Sequence, residues 1–134
     1  VATDLSPTMV QACKKGEYDS LAIGRGLSSE RLANYFDKTP AGTWQVKSAL
    51  KSRIDFRTGN LLDSFAGLGK FDVVFCRNVL IYFSSEAKKD ILTRIHATLK
   101  PGGYLVLGAS EALNGLPELY TMVQCSPGII YQAK

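Results

Sequence analysis

The chain has 134 residues and a mass of 14.6 kDa, the size of one modest domain. Apolar residues make up 46% and charged residues 21%, which excludes a disordered or collagen-like chain, and no apolar run reaches the roughly 18 residues a membrane span needs. Net charge is +4 with a pI near 9.0, but the sixteen basic residues are scattered rather than striped, so a nucleic-acid surface is open but unsupported and an acidic protein partner fits the basicity equally well.

Residues 1–5, Val-Ala-Thr-Asp-Leu, read as a short strand ending near an acid, with no basic n-region of a signal peptide. Ser6-Pro7 then starts a helix, because Ser caps well and Pro suits the first turn. Met9, Ala12 and Cys13 fall on one face of it, and Gly16 is a natural stop. Residues 29–36 read as a second, short helix. Turn chemistry follows at Asp37 to Gly42, then period-two alternation at Trp44–Lys47 and, less cleanly, at Ile54–Arg57. We therefore expect a small antiparallel β insert over residues 37–58, leading into a strand that ends at Gly59-Asn60-Leu61-Leu62.

Phe71–Cys76 is nearly continuous apolar sequence and predicts a central parallel strand buried on both faces. Ser84-Ser85-Glu86 caps the next helix, whose inward stripe is Ala87, Ile91, Ile95 and Leu99. Lys100-Pro101-Gly102-Gly103 ends that helix, and Tyr104–Leu107 is another buried strand. Two strand-like runs around Ser126-Pro127-Gly128 make a terminal hairpin. Strands alternating with helices in this order predict a doubly wound α/β sheet.

Three cysteines, Cys13, Cys76 and Cys125, are odd in number and widely spaced without a CxxC. That argues against a disulfide framework or zinc site and for a reducing cytoplasm, with all three expected as small buried apolar residues. His96 is the only histidine, so His-dependent triads and multi-His metal sites are excluded within the chain; its helical position beside the inward stripe predicts a flanking residue. Gly24-Arg25-Gly26 imitates a dinucleotide fingerprint without its third glycine, and Gly67-Leu68-Gly69-Lys70 imitates a phosphate loop with Phe71 where Ser or Thr is required. Both are read as turns.

Ligands of open α/β sheets sit beyond the carboxyl ends of the strands. Asp4 ends the first strand here, Asn60 follows the next, and Arg77-Asn78 end the third. A strand-end acid can accept both hydroxyls of a ribose, and an amide after a neighbouring strand can pair with an adenine edge. On spacing alone this nucleoside reading stands level with a plainer one, in which Asp4 caps a helix, Asn60 turns the chain and Arg77 holds a structural ion pair.

The string Phe75-Cys76-Arg77-Asn78-Val79-Leu80-Ile81-Tyr82-Phe83 is long and uncommon, and it closely resembles the signature of the CheR family, the chemotaxis protein-glutamate O-methyltransferases. Ala2–Ser6, Arg25-Gly26-Leu27, Tyr35-Phe36, Asn60-Leu61-Leu62, Lys100–Leu105 and Gly108-Ala109-Ser110-Glu111 support it in family order across the chain. The resemblance implies a Rossmann-like SAM-dependent methyltransferase sheet with a small antiparallel β insert and a C-terminal β-hairpin. It implies methyl transfer from S-adenosyl-L-methionine (SAM), with S-adenosyl-L-homocysteine (SAH) as product, to glutamates on the cytoplasmic domain of a chemoreceptor, a methyl-accepting chemotaxis protein. Asp4 would bind the ribose, and Asn60 with the backbone of Leu61 the adenine region. Arg77 and Asn78 would line the cofactor site, and Tyr82 would sit nearest the transferred methyl. Residues 37–58 would match the β-subdomain with which the family approaches receptors. The loop from Asp37 to Gly42 is shorter than in members that bind a receptor pentapeptide, which implies pentapeptide-independent behaviour.

Against the family pattern, the N-terminal helical domain, the first sheet strand with its SAM loop, a basic helix and an upstream catalytic arginine are missing. The expectation is a truncated, C-terminal piece of the enzyme that alone binds SAM weakly or not at all, with two inner strand edges unpaired. A strand-exchanged or edge-paired dimer is the corresponding expectation for its assembly. The alternative reading is a non-catalytic module that docks a receptor or a regulatory adaptor protein. A nicotinamide dehydrogenase, which also wants an acid after its second strand, fits the Asn78–Phe83 string and the terminal hairpin less well.

Overall fold

The structure, a computed structural model, describes residues 1–113 and 115–134. They form two compact units, Val1–Asn60 and Leu61–Lys134.

The first unit runs β1 (Ala2–Asp4), α1 (Pro7–Lys15), β2 (Glu17–Tyr18), α2 (Ser20–Ile23), α3 (Ser29–Tyr35), β3 (Phe36–Lys38), β4 (Trp44–Val46), α4 (Ser48–Lys51) and β5 (Phe56–Thr58). Strands β1 and β5 pair in parallel from Ala2↔Phe56 to Asp4↔Thr58. Helix α1 begins and ends as its residues dictate. Ser6 Oγ accepts from Met9 N at 3.3 Å, Pro7 occupies the first turn, and Gly16 takes φ +68°, the left-handed cap that a side chain would strain. Its amide then reaches Ala12 O at 2.8 Å, and Val10 packs its buried face.

An antiparallel hairpin forms, but as β3 against β4 and not as Trp44–Lys47 against Ile54–Arg57, and its sheet has the order β2-β4-β3. The third strand comes from Glu17–Tyr18, too short to show any period in sequence. Thr43 Oγ1 donates to Glu17 Oε1 at 2.6 Å and ties the hairpin turn to that strand. The Ile54–Arg57 alternation belongs to β5, the parallel partner of β1, rather than to the hairpin. The single-turn helices α2 and α4 were not legible in the sequence.

The second unit runs β6 (Phe71–Cys76), a 3-10 turn at Leu80–Tyr82, α5 (Ser85–Thr98), β7 (Leu99–Leu107), β8 (Tyr120–Cys125) and β9 (Gly128–Ala133). Its sheet has the order β6-β7-β9-β8, with β6 and β7 parallel and the terminal hairpin antiparallel. The Lys100–Gly103 turn is absorbed into the start of β7: Phe71 pairs with Leu99 but Val73 with Tyr104. The extra residues bulge out, and a Cβ on Gly103 would lie 3.0 Å from the carbonyl oxygens of Asp72 and Lys100.

Ser84 Oγ caps α5 by accepting from Ala87 N at 3.2 Å. Of the expected stripe, Ile91 and Ile95 are buried on α5 together with Leu92, Leu99 is buried at the start of β7, and Ala87, in the first turn, is only half-buried. Ile91 and Leu105 are fully buried, and Leu80, Leu116 and Tyr120 lie in the same core. Burying each such aliphatic side chain stabilises by about 1.5–3 kcal/mol. Tyr120 donates its hydroxyl to Leu92 O at 2.8 Å. His96 meets Tyr120 edge-on, ring centroids 5.3 Å apart, as a flanking residue of the stripe.

Two expectations are corrected. Among the described residues β6 is an edge strand of its sheet, and Val73 and Phe75 are 44% and 73% exposed rather than buried on both faces. An apolar run records hydrophobicity and not how many neighbours a strand has. Of the cysteines only Cys76 is buried; Cys13 is half-buried, and Cys125 is exposed at the end of β8.

Candidate functional site

In the first unit, Asp4 closes β1 and Asn60 lies just past the end of β5. The strands are adjacent and parallel, so both residues sit at the same carboxyl edge. Gly59 N donates to Asp4 O at 2.9 Å and holds that edge together. Asp4 Oδ1 accepts from Ser6 N at 2.8 Å, so the plain capping role is real. It engages one carboxylate oxygen of two.

In the second unit, Leu61 is half-buried and packs against the core. Arg77, Asn78 and Tyr82 share the loop that leaves the carboxyl end of β6. Arg77 and Asn78 are exposed, and Tyr82 is 81% exposed. The packing role for Tyr82 therefore falls to its neighbours: Leu80 is buried in the core and Phe83 packs against it. Asn78 stands at φ +59°, the one non-glycine residue with positive φ among those described. Asn tolerates this backbone better than any β-branched or bulky residue.

One site residue was not singled out from the sequence. The Glu111 carboxylate accepts four backbone hydrogen bonds: Oε2 from Asn78 N at 2.7 Å and Gly108 N at 2.7 Å, Oε1 from Leu80 N at 2.8 Å and Val79 N at 3.0 Å. Desolvation pushes its pKa up, but these donors outweigh it and hold the carboxyl below its ordinary value. The only signal in sequence was its place in Gly108-Ala109-Ser110-Glu111. Nearby, burial and then the Glu111 charge push the Cys76 thiol up to about 11, which keeps it protonated and inert. Gly24–Gly26 and Ala66-Gly67 form turns, so the two refused phosphate motifs have no phosphate-loop geometry. No group of His, Cys, Asp and Glu among the described residues is arranged to hold a metal ion.

The model of the CheR methyltransferase SAM-binding domain matches residues 1–129. Chemotaxis protein methyltransferase Cher2 of Pseudomonas putida is 75% identical over 134 residues, covering 100% of this chain and 49% of that protein. Chemotaxis protein methyltransferase 1 of Pseudomonas aeruginosa is 72% identical over the same 134 residues, again 49% of its length. A chemotaxis protein methyltransferase of Vibrio parahaemolyticus is 53% identical over 133 residues, 99% of this chain and 48% of that protein. The chain spans about half the length of the curated relatives it matches. Among solved structures, an O-methyltransferase family protein from Burkholderia thailandensis reaches a TM-score of 0.47 at 19% identity over 64% of this chain and 37% of that one, too slight a likeness to carry argument.

Proposed function

Because the chain belongs to the CheR methyltransferase family through its SAM-binding domain, we propose that it is the cofactor-holding part of an enzyme that methylates glutamate side chains on the cytoplasmic domains of chemoreceptors. The observation that carries this reading is the exposed signature loop after β6, where Arg77 and Asn78 are exposed and Tyr82 is 81% exposed. Solvent-facing polar and aromatic side chains on a strand-end loop are the usual mark of a site rather than of packing.

The residues present fit SAM. Asp4, its carboxylate held at a strand end by Ser6 N, would pair the ribose hydroxyls. Asn60 and the Leu61 backbone would hold the adenine edge, and Arg77 and Asn78 would be the contacts supplied by the loop after β6. When bound, SAM supplies a methyl on a sulfonium centre, open to in-line displacement. A glutamate carboxylate is ionised near neutral pH and needs no strong base, so the missing catalytic histidine is no obstacle. What the chain must supply is position and exclusion of water. Tyr82 orients the incoming carboxylate and shapes the pocket beside the methyl. Within residues 37–58, the antiparallel hairpin of β3 and β4 is the β-subdomain that approaches the receptor in the cytoplasm, without a pentapeptide tether, while Phe56–Thr58 belongs to the parallel pair with β1.

The test is made in the full-length protein. Asp4→Asn keeps an acceptor for the Ser6 amide while losing the charge, and Arg77→Ala removes the guanidinium. Each is expected to lower receptor methylation at least about tenfold, or 1.4 kcal/mol, with receptor binding unchanged. Methylation at the wild-type rate in both variants overturns the reading.

A further inference from the structure

Three of the four amides that Glu111 accepts are consecutive, Asn78, Val79 and Leu80, and belong to the loop that follows β6. The fourth, Gly108, follows β7. A single carboxylate thus clasps the carboxyl ends of two neighbouring parallel strands. Successive amides aimed at one point form an anion-binding nest, here filled by the protein's own side chain. Two further observations show how closely the nest is built. Asn78 is driven to φ +59° within it. A Cβ at residue 108 would stand 2.6 Å from Glu111 Oε2 and 3.0 Å from Asn78 N, so a side chain there would press on the carboxylate and on the loop backbone.

We propose that Glu111 is the positioning residue of the signature loop: by fixing the backbone of Asn78 to Leu80, it sets where Arg77, Asn78 and Tyr82 point. This rests on the reading above that those side chains face SAM. The role calls for a carboxylate in particular. Each oxygen accepts two amides, and a glutamine would turn its NH2 group against two N–H donors, losing those bonds and leaving the donors facing one another. An aspartate keeps the charge but is one methylene short.

The test titrates SAH calorimetrically into the full-length protein as wild type, Glu111→Gln and Glu118→Gln. Glu118, exposed on the same connecting segment, is the charge control. Glu111→Gln is expected to bind SAH at least about tenfold more weakly and to raise the KM for SAM, and Glu118→Gln to match wild type. Amide hydrogen exchange at Asn78, Val79 and Leu80 is expected to speed up about tenfold or more in Glu111→Gln. Wild-type affinity in Glu111→Gln, or unchanged exchange at those amides, overturns the proposal. A wild-type protein that does not bind SAH refutes the cofactor reading instead, and the amide exchange then decides the positioning role. If Glu111→Gln does not fold, Glu111→Asp carries the same test, with an intermediate loss expected.

Discussion

Adding a single methyl group at residue 108 tests the nest from its other side. Gly108→Ala places a Cβ against Asn78 Oδ1 and within 2.6 Å of Glu111 Oε2 and 3.0 Å of Asn78 N. Asn78 Oδ1 ends an exposed side chain and can turn aside, but the carboxylate is held by four amides and Asn78 N is main chain. Overpacking of this kind costs about 1–3 kcal/mol. If the carboxylate yields instead, the two bonds to Oε2 go, and hydrogen bonds to a charged acceptor contribute about 1.5–3 kcal/mol each. The first route costs about 1–3 kcal/mol and the second about 3–6 kcal/mol, so the protein takes the first and the expected loss is about 1–3 kcal/mol. Gly67→Ala is the matched comparison, because nothing lies within 4 Å of a Cβ there and its φ is outside the glycine-only region; it should be neutral or add about 0.4–1 kcal/mol. Urea unfolding followed by circular dichroism measures both in the full-length protein. A Gly108→Ala protein as stable as Gly67→Ala would show that the loop gives way freely and that the geometry of the nest is unimportant.

Other outcomes follow from the same packing and electrostatics. Ile91→Ala, at a fully buried position of α5, should cost about 3–5 kcal/mol in urea unfolding; a loss under about 1 kcal/mol would contradict its place in the core. Glu111 has a depressed carboxyl, so its stabilisation is full above the ordinary value of 4.5 and fades as pH falls through the lower folded value. The stability gap between wild type and Glu111→Gln should therefore shrink as pH falls below the ordinary carboxyl value of 4.5; a gap that widens there reverses the sign of the argument. With a thiol reagent near neutral pH, exposed Cys125 should react first and Cys76, its thiol pushed up to about 11, last. Early labelling of Cys76, read by mass spectrometry, would place it at the surface.

What the sequence showed clearly was what is settled within a few residues. Ser6, Pro7 and Gly16 delimit α1 because capping acts within one turn. The spacing of Ile91, Ile95 and Leu99 identified the buried face of α5 because helical period needs no distant partner. The exposed loop after β6 was found through an uncommon string rather than through physics. Glu111 was missed because its loop partners stand 31 to 33 residues away and are backbone amides, which carry no letter in a sequence. The exposure of Phe75 was missed for a related reason: a strand's neighbours are a property of topology. Glu17–Tyr18 joined a sheet through a partner strand nearly thirty residues downstream.

The sheet order β6-β7-β9-β8 has a bearing on synthesis. Among the described strands of this sheet, β9 follows β8 in the chain yet lies between β7 and β8. A nascent chain that has left the ribosome only as far as Cys125 therefore offers β8 no neighbour to pair with, and leaves one side of β7 bare. Closure must wait for Gly128–Ala133 to emerge, so this unit locks late and all at once rather than strand by strand as it is made.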